Sequence, residues 1–166
     1  MPHLVKNDIL IPEIVRIINA GQQVLFTPKG ESMRPFIEGD RDSVVLGLAG
    51  NLRIGDILLC QLPNHQSAIN NQQSSVTRNP SPVTPIYVLH RLIAIDGDRL
   101  TLMGDGNLVG CEYCTRADVL GRVLEIRSPR GRRKPLTRGR LWYRLRRFRP
   151  FMLKLYRKLY RKLNHQ

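Results

Sequence analysis

Apolar positions along this chain change their period twice. Ile11, Ile14, Val15 and Ile18 recur at three- and four-residue steps, which keeps one face of an α-helix apolar. Asn7 or Asp8 can cap that helix, and Gly21 stops it after Ala20. From Gln23 the pattern breaks into strand-length runs rich in Val, Ile and Leu, at 23–27, 42–48, 56–62, 86–95, 99–103 and 119–126. Gly50-Asn51, Gly55-Asp56 and Asp96-Gly97-Asp98 punctuate them as turns. The helical period returns after Arg138, with Leu141, Leu145, Phe148, Met152, Leu155, Leu159 and Leu163. The pattern predicts an N-terminal helical segment over 1–22, a mostly β domain over 23–126 and a helical tail over 127–166. Within the domain, 63–85 is rich in Pro, Asn, Gln and Ser, and reads as a flexible loop or strand extension, with His65 a solvated loop residue.

Charge divides the chain at the same place. The 166 residues carry a formal net charge of +14. Residues 1–126 hold 11 Lys/Arg against 13 Asp/Glu, a net of −2, whereas 127–166 hold 16 Lys/Arg and no acid, a net of +16. The domain is near neutral and the tail carries the basic character. Trp142, Tyr143, Tyr156 and Tyr160 are interleaved with the tail's cations, so it reads as a basic amphipathic helix, kinked or interrupted at Pro150. Three partners suit it: an anionic membrane surface through residues 138–163, nucleic-acid phosphates, or a docking protein. The interleaved aromatic residues favour the membrane surface. No window approaches the ~20 apolar residues of a membrane span, and the start lacks the pattern of a signal peptide. The expected location is cytoplasmic or peripheral to a membrane.

Chemistry is carried by three short segments. Gly30-Glu31-Ser32-Met33-Arg34-Pro35 places a serine on a sharp bend, with its own N–H close to its hydroxyl, as acyl chemistry requires of a nucleophile and an oxyanion donor. The same residues also build ordinary loops. His90 follows an apolar strand, where it can be structural or can accept a serine proton near neutral pH. Asp105, in Gly104-Asp105-Gly106-Asn107, can bond its own backbone or orient a histidine. Cys60, Cys111 and Cys114 are too few for a disulfide framework, and Cys111-x-x-Cys114 lacks a second pair at zinc spacing. No metal or cofactor is expected.

The order Gly-x-Ser-Met-x-Pro (Gly30–Pro35), Gly39-Asp40, Gly55-Asp56, His90-Arg91 and Gly104–Asn107 resembles the signal peptidase I and LexA-type serine peptidase clan. The resemblance covers about residues 24–126. Bacterial signal peptidases and LexA-like autoproteases use a lysine base, so His90 is most similar to the endoplasmic-reticulum and archaeal type of signal peptidase. The resemblance implies a signal peptidase/LexA-like β fold. It implies Ser32 as nucleophile and oxyanion donor, His90 as general base, Asp105 as its acidic partner, and Met33 and Pro35 as shapers of the nucleophile turn. Arg91 would be structural or would orient neighbours, and Asp40 and Asp56 would be scaffold. The expected substrate is a leader or precursor peptide. The alternative is a peptidase-fold binding or regulatory module without turnover.

Overall fold

The computed structural model describes residues 7–62, 85–136, 141–142, 144–145 and 148–164. The segment expected as a loop, with His65, lies outside these residues, as do Tyr143 and the side chains of Leu159, Tyr160 and Leu163. The helix α1 (Asn7–Asn19) is followed by eight strands: β1 (Val24–Phe26), β2 (Ser43–Gly47), β3 (Ile57–Leu62), β4 (Ile86–Asp96), β5 (Arg99–Met103), β6 (Glu112–Thr115), β7 (Val119–Arg127) and β8 (Arg133–Lys134). The helix α2 (Arg149–Asn164) closes the order. All the strands belong to one curled antiparallel sheet, ordered β1-β2-β7-β3-β4-β5-β6, with β8 paired to β7. The fold is mostly β, as the run lengths predict.

The central strand β3 shows why its first four residues, Ile57–Cys60, are apolar without a break. Successive side chains of a strand alternate between faces. Ile57 and Leu59 enter a core with Ile11, Ile14 and Ile18 of α1, Met33, Ile37 and Val44. Leu58 and Cys60 enter a second core with Leu92, Leu100, Leu102 and Cys114. Both faces of β3 are therefore covered over Ile57–Cys60, and the polar residue Gln61 appears only beyond them, where the strand is exposed.

Two strands go beyond the sequence expectations. Glu112–Thr115 pairs with β5 at the sheet edge, although its Glu-Tyr-Cys-Thr composition carries little apolar signal. Arg133–Lys134 pairs with Ile126 and Arg127, so the basic segment begins as part of the sheet. The interruption expected at Pro150 is the start of α2, where a missing N–H costs nothing because first-turn amides have no helical partner. Among the described residues, no helix is long and apolar enough to cross a membrane.

Candidate active site

The Ser32 turn is a loop closed on itself. Asp40 N–H donates to the Pro28 carbonyl at 2.8 Å. Gly39 crosses Gly30 so closely that a Cβ at Gly39 would lie 2.0 Å from the Gly30 oxygen. Inside the loop, Phe36 and Ile37 donate to the Met33 carbonyl at 3.1 and 3.0 Å, and the Arg34–Pro35 peptide is cis. Met33 and Ile37 are buried in the α1 core, which anchors the turn from below and leaves Ser32 half-buried beside it. Glu31, next to the nucleophile position, is ion-paired with Arg34 at 2.7 Å, and Arg34 also pairs with buried Glu38. Among the described residues, the Ser32 N–H donates to no acceptor.

A second loop presses on the turn from behind. The Ser32 carbonyl accepts the Gly106 N–H at 2.7 Å. A Cβ at Gly104 would come within 2.6 Å of the Ser32 oxygen, and one at Gly106 within 2.8 Å of the Glu31 oxygen. Only glycine permits that backbone-to-backbone approach. Asp105, between the two glycines, is fully buried.

The partner of Asp105 is Arg91, and this corrects the expectation that it orients His90. Arg91 Nε donates to Asp105 Oδ1 at 2.9 Å and its terminal nitrogen to Oδ2 at 2.6 Å, a two-pronged buried pair. The other arm of Arg91 reaches the Gly55 carbonyl at 2.7 Å. His90 and Arg91 are neighbours on β4, and strand alternation sends them to opposite faces. A carboxylate gripping one does not serve the other. Asp105 is thus a scaffold group that fixes the loop behind Ser32, as Arg91 is. Asp56 accepts the Arg53 N–H at 2.8 Å, and Asp40 takes a left-handed backbone (φ 62°) at the loop's exit.

The acid that faces His90 is Glu112, the first residue of β6. Its Oε2 lies 2.9 Å from His90 Nδ1. A carboxylate only accepts, so the neutral ring holds its proton on Nδ1 and leaves Nε2 with a lone pair, the tautomer a general base needs. No spacing rule singles out Glu112. Its only signal is that it is the first acid after Asp105, and its contact needs the β4-β5-β6 order to form.

Ser32 and His90 line one cavity of about 130 Å³, between the Pro28–Gly30 segment and Tyr87–His90 of β4. Among the described residues, no hydrogen bond joins the Ser32 hydroxyl to the ring. Ile86–His90 pairs with β3 on one side, whereas β5 begins its pairing with β4 only at Arg91. The β4 edge beside the cavity therefore has no strand on it among the described residues.

The start of the basic tail packs behind this assembly. Trp142 and Tyr156, expected among lipid-facing residues, turn inward instead. The Trp142 indole N–H donates to the Asp105 carbonyl at 2.9 Å, and its ring meets Phe36 edge-on with centroids 5.7 Å apart. Arg149 reaches the Met103 sulfur at 3.2 Å and lies 3.7 Å from Asp105 Oδ1. Leu153 is buried, and the Tyr156 hydroxyl donates to Glu38 Oε2 at 2.8 Å. Burial and that hydrogen bond push the Tyr156 phenol up to about 12.

The cysteines divide by environment. Cys111 is exposed, while Cys60 and Cys114 are buried in one core and share a hydrogen bond, which together with burial pushes the Cys60 thiol up. Among the described residues, no group of three or more His, Cys, Asp or Glu is placed to hold a metal ion. No protein-family model matches the chain, and no curated protein or solved structure is significantly similar to it.

Proposed function

We propose that the chain is a serine endopeptidase of the signal peptidase-like type, with Ser32 as nucleophile, His90 as general base and Glu112 as the group that orients the base. One observation carries this reading: Ser32 and His90 line the same cavity while Nδ1 of His90 is held by a carboxylate, which leaves Nε2 as the nitrogen able to accept a proton. That is the division of roles in a serine–histidine–acid mechanism. The curled antiparallel sheet and the Gly55–Arg91–Asp105 scaffold behind the serine support a signal peptidase/LexA-like fold.

Ser32 Oγ attacks a peptide carbonyl carbon as its proton passes to His90 Nε2. The Ser32 N–H donates to the oxyanion. Collapse breaks the C–N bond, and Nε2 returns the proton to the departing amine. Water, deprotonated by the same nitrogen, then hydrolyses the acyl-serine and restores both side chains. The substrate is an extended segment of a leader or precursor peptide. It adds along the Ile86–His90 edge, where main-chain groups supply affinity and the small cavity takes one side chain.

A fluorophosphonate acyl probe tests the assignment on the full chain. Labelling at Ser32 that disappears in Ser32→Ala and falls in His90→Ala supports it. A folded protein that takes no label at Ser32 overturns it in favour of a binding module.

A further inference from the structure

The helix α2 has two stripes with different fates. At 3.6 residues per turn, Arg149, Leu153 and Tyr156 share one stripe, and this stripe is seated on Asp105, Met103 and Glu38. Met152 and Leu155 fall about a quarter-turn away on the same helical geometry, Phe151 extends their edge, and Phe148 immediately precedes the helix. These side chains are exposed: Phe148 61%, Phe151 71%, Met152 37% and Leu155 48%. Leu141, before the helix, is 62% exposed. Exposed aromatic and aliphatic residues gathered on one helix face mark an interaction surface.

Charge selects its occupant. Residues 127–166 contain 16 Lys/Arg and no Asp or Glu. Lys154 and Lys158 are exposed on α2 and by the helical angle border the stripe on its Phe151 side, about 60° and 20° from Phe151. An apolar stripe with large aromatic residues, flanked by cations and free of acids, fits a surface that is apolar within and anionic at its boundary. Duplex phosphates would use the cations and leave two phenylalanines, a methionine and a leucine in water. A second copy of the tail would bring two strongly positive segments together.

We propose that the Phe151–Met152–Leu155 face of α2, with Phe148 just before it, docks on an anionic lipid bilayer, lying in its interface rather than crossing it. The docked stripe holds the helix on the domain through Arg149, Leu153 and Tyr156, so the lipid-facing stripe is presented already oriented. This surface is independent of the peptidase reading, since none of its residues lines the Ser32 cavity.

The test is co-sedimentation of the full chain with vesicles of phosphatidylcholine alone, or with ~30 mol% phosphatidylglycerol, at physiological salt. The expected result is binding at least ~10-fold tighter to the anionic vesicles, since each cation near such a surface contributes about fivefold. The triple variant Phe148→Ser/Phe151→Ser/Leu155→Ser, all at exposed positions, is expected to lose at least ~10-fold of that binding, because apolar insertion is removed. An unchanged far-ultraviolet circular dichroism spectrum and thermal midpoint show that the variant folds. As a second variant, Leu155→Trp is expected to bind more tightly and to blue-shift its tryptophan emission on anionic vesicles. Four outcomes overturn the proposal: no vesicle binding, equal binding by wild type and the triple variant, duplex DNA binding without vesicle binding, or a dimer that covers these residues and binds no vesicles.

Discussion

Arg91 grips Asp105 through hydrogen bonds of 2.9 and 2.6 Å, and this buried pair stands directly behind the Ser32 turn. Its role is positional: it holds the loop whose Gly106 N–H reaches the Ser32 carbonyl. Removing one partner of a buried pair leaves an uncompensated charge and costs roughly 3–5 kcal/mol. Asp105→Ala is therefore expected to destabilise the protein by about that amount in urea titrations. A variant of unchanged stability that loses only activity would return Asp105 to a catalytic role.

Glu112 makes the opposite prediction. It touches the proposed base rather than the scaffold, and its side chain keeps 25% exposure, so its charge stays in contact with water. Glu112→Gln is expected to change stability by less than about 1 kcal/mol. An amide in its place can donate as well as accept, and so no longer enforces the Nδ1–H tautomer. The rate of acyl-probe labelling at Ser32 is expected to fall roughly 10²- to 10⁴-fold, the range of a general base losing its function. Labelling at the wild-type rate would remove Glu112 from the mechanism.

Much of the site is legible in the residues themselves, and what is not has a geometric cause. The Ser32 bend follows from Gly30, Pro35 and the buried Met33, all local. The proposed base follows from a histidine at the end of an apolar strand run. Which acid serves that base is not local. His90 and Glu112 are separated by two hairpins, and only the β4-β5-β6 pairing brings them within 2.9 Å. Asp105 misleads because Arg91 sits beside His90 in sequence and on the other face in space. The tail is similar. Its period reveals an amphipathic helix, but not that a second stripe, through Leu153 and Tyr156, is already occupied by the domain.

The close approach of the two loops yields a third prediction. A Cβ at Gly106 would lie 2.8 Å from the Glu31 oxygen and 3.3 Å from the Ser32 oxygen, and backbone atoms cannot swing aside. Gly106→Ala is expected to cost roughly 1–3 kcal/mol, as overpacking does, and to slow labelling at Ser32 by displacing the turn. Gly47→Ala is the control. Its Cβ would meet side chains alone, Leu124 at 2.6 Å and Gln23 at 3.7 Å, and a Leu124 rotamer change relieves the short contact without moving the site. Equal effects of both on labelling would contradict the proposed contact between the loops and the nucleophile.

Tyr156 links the tail to pH. Its phenol is pushed up to about 12 by burial and by the hydrogen bond to Glu38, against the opposing effect of Arg41 and Arg34 nearby. In the unfolded chain a tyrosine titrates near about 10. The folded state therefore favours the neutral phenol. Its contribution to stability is fully present below about pH 10 and is lost as pH rises towards 12. Tyr156→Phe removes the hydrogen bond and is expected to cost roughly 0.5–1.5 kcal/mol at neutral pH. The stability gap between wild type and variant is expected to close between about pH 10 and 12, where ionisation beside Glu38 cancels what the hydroxyl contributed. Tyrosinate absorbance, followed with urea midpoints of both proteins across that range, measures it. A gap that stays constant through pH 12 would show that the Tyr156 hydroxyl does not hold the tail to the domain.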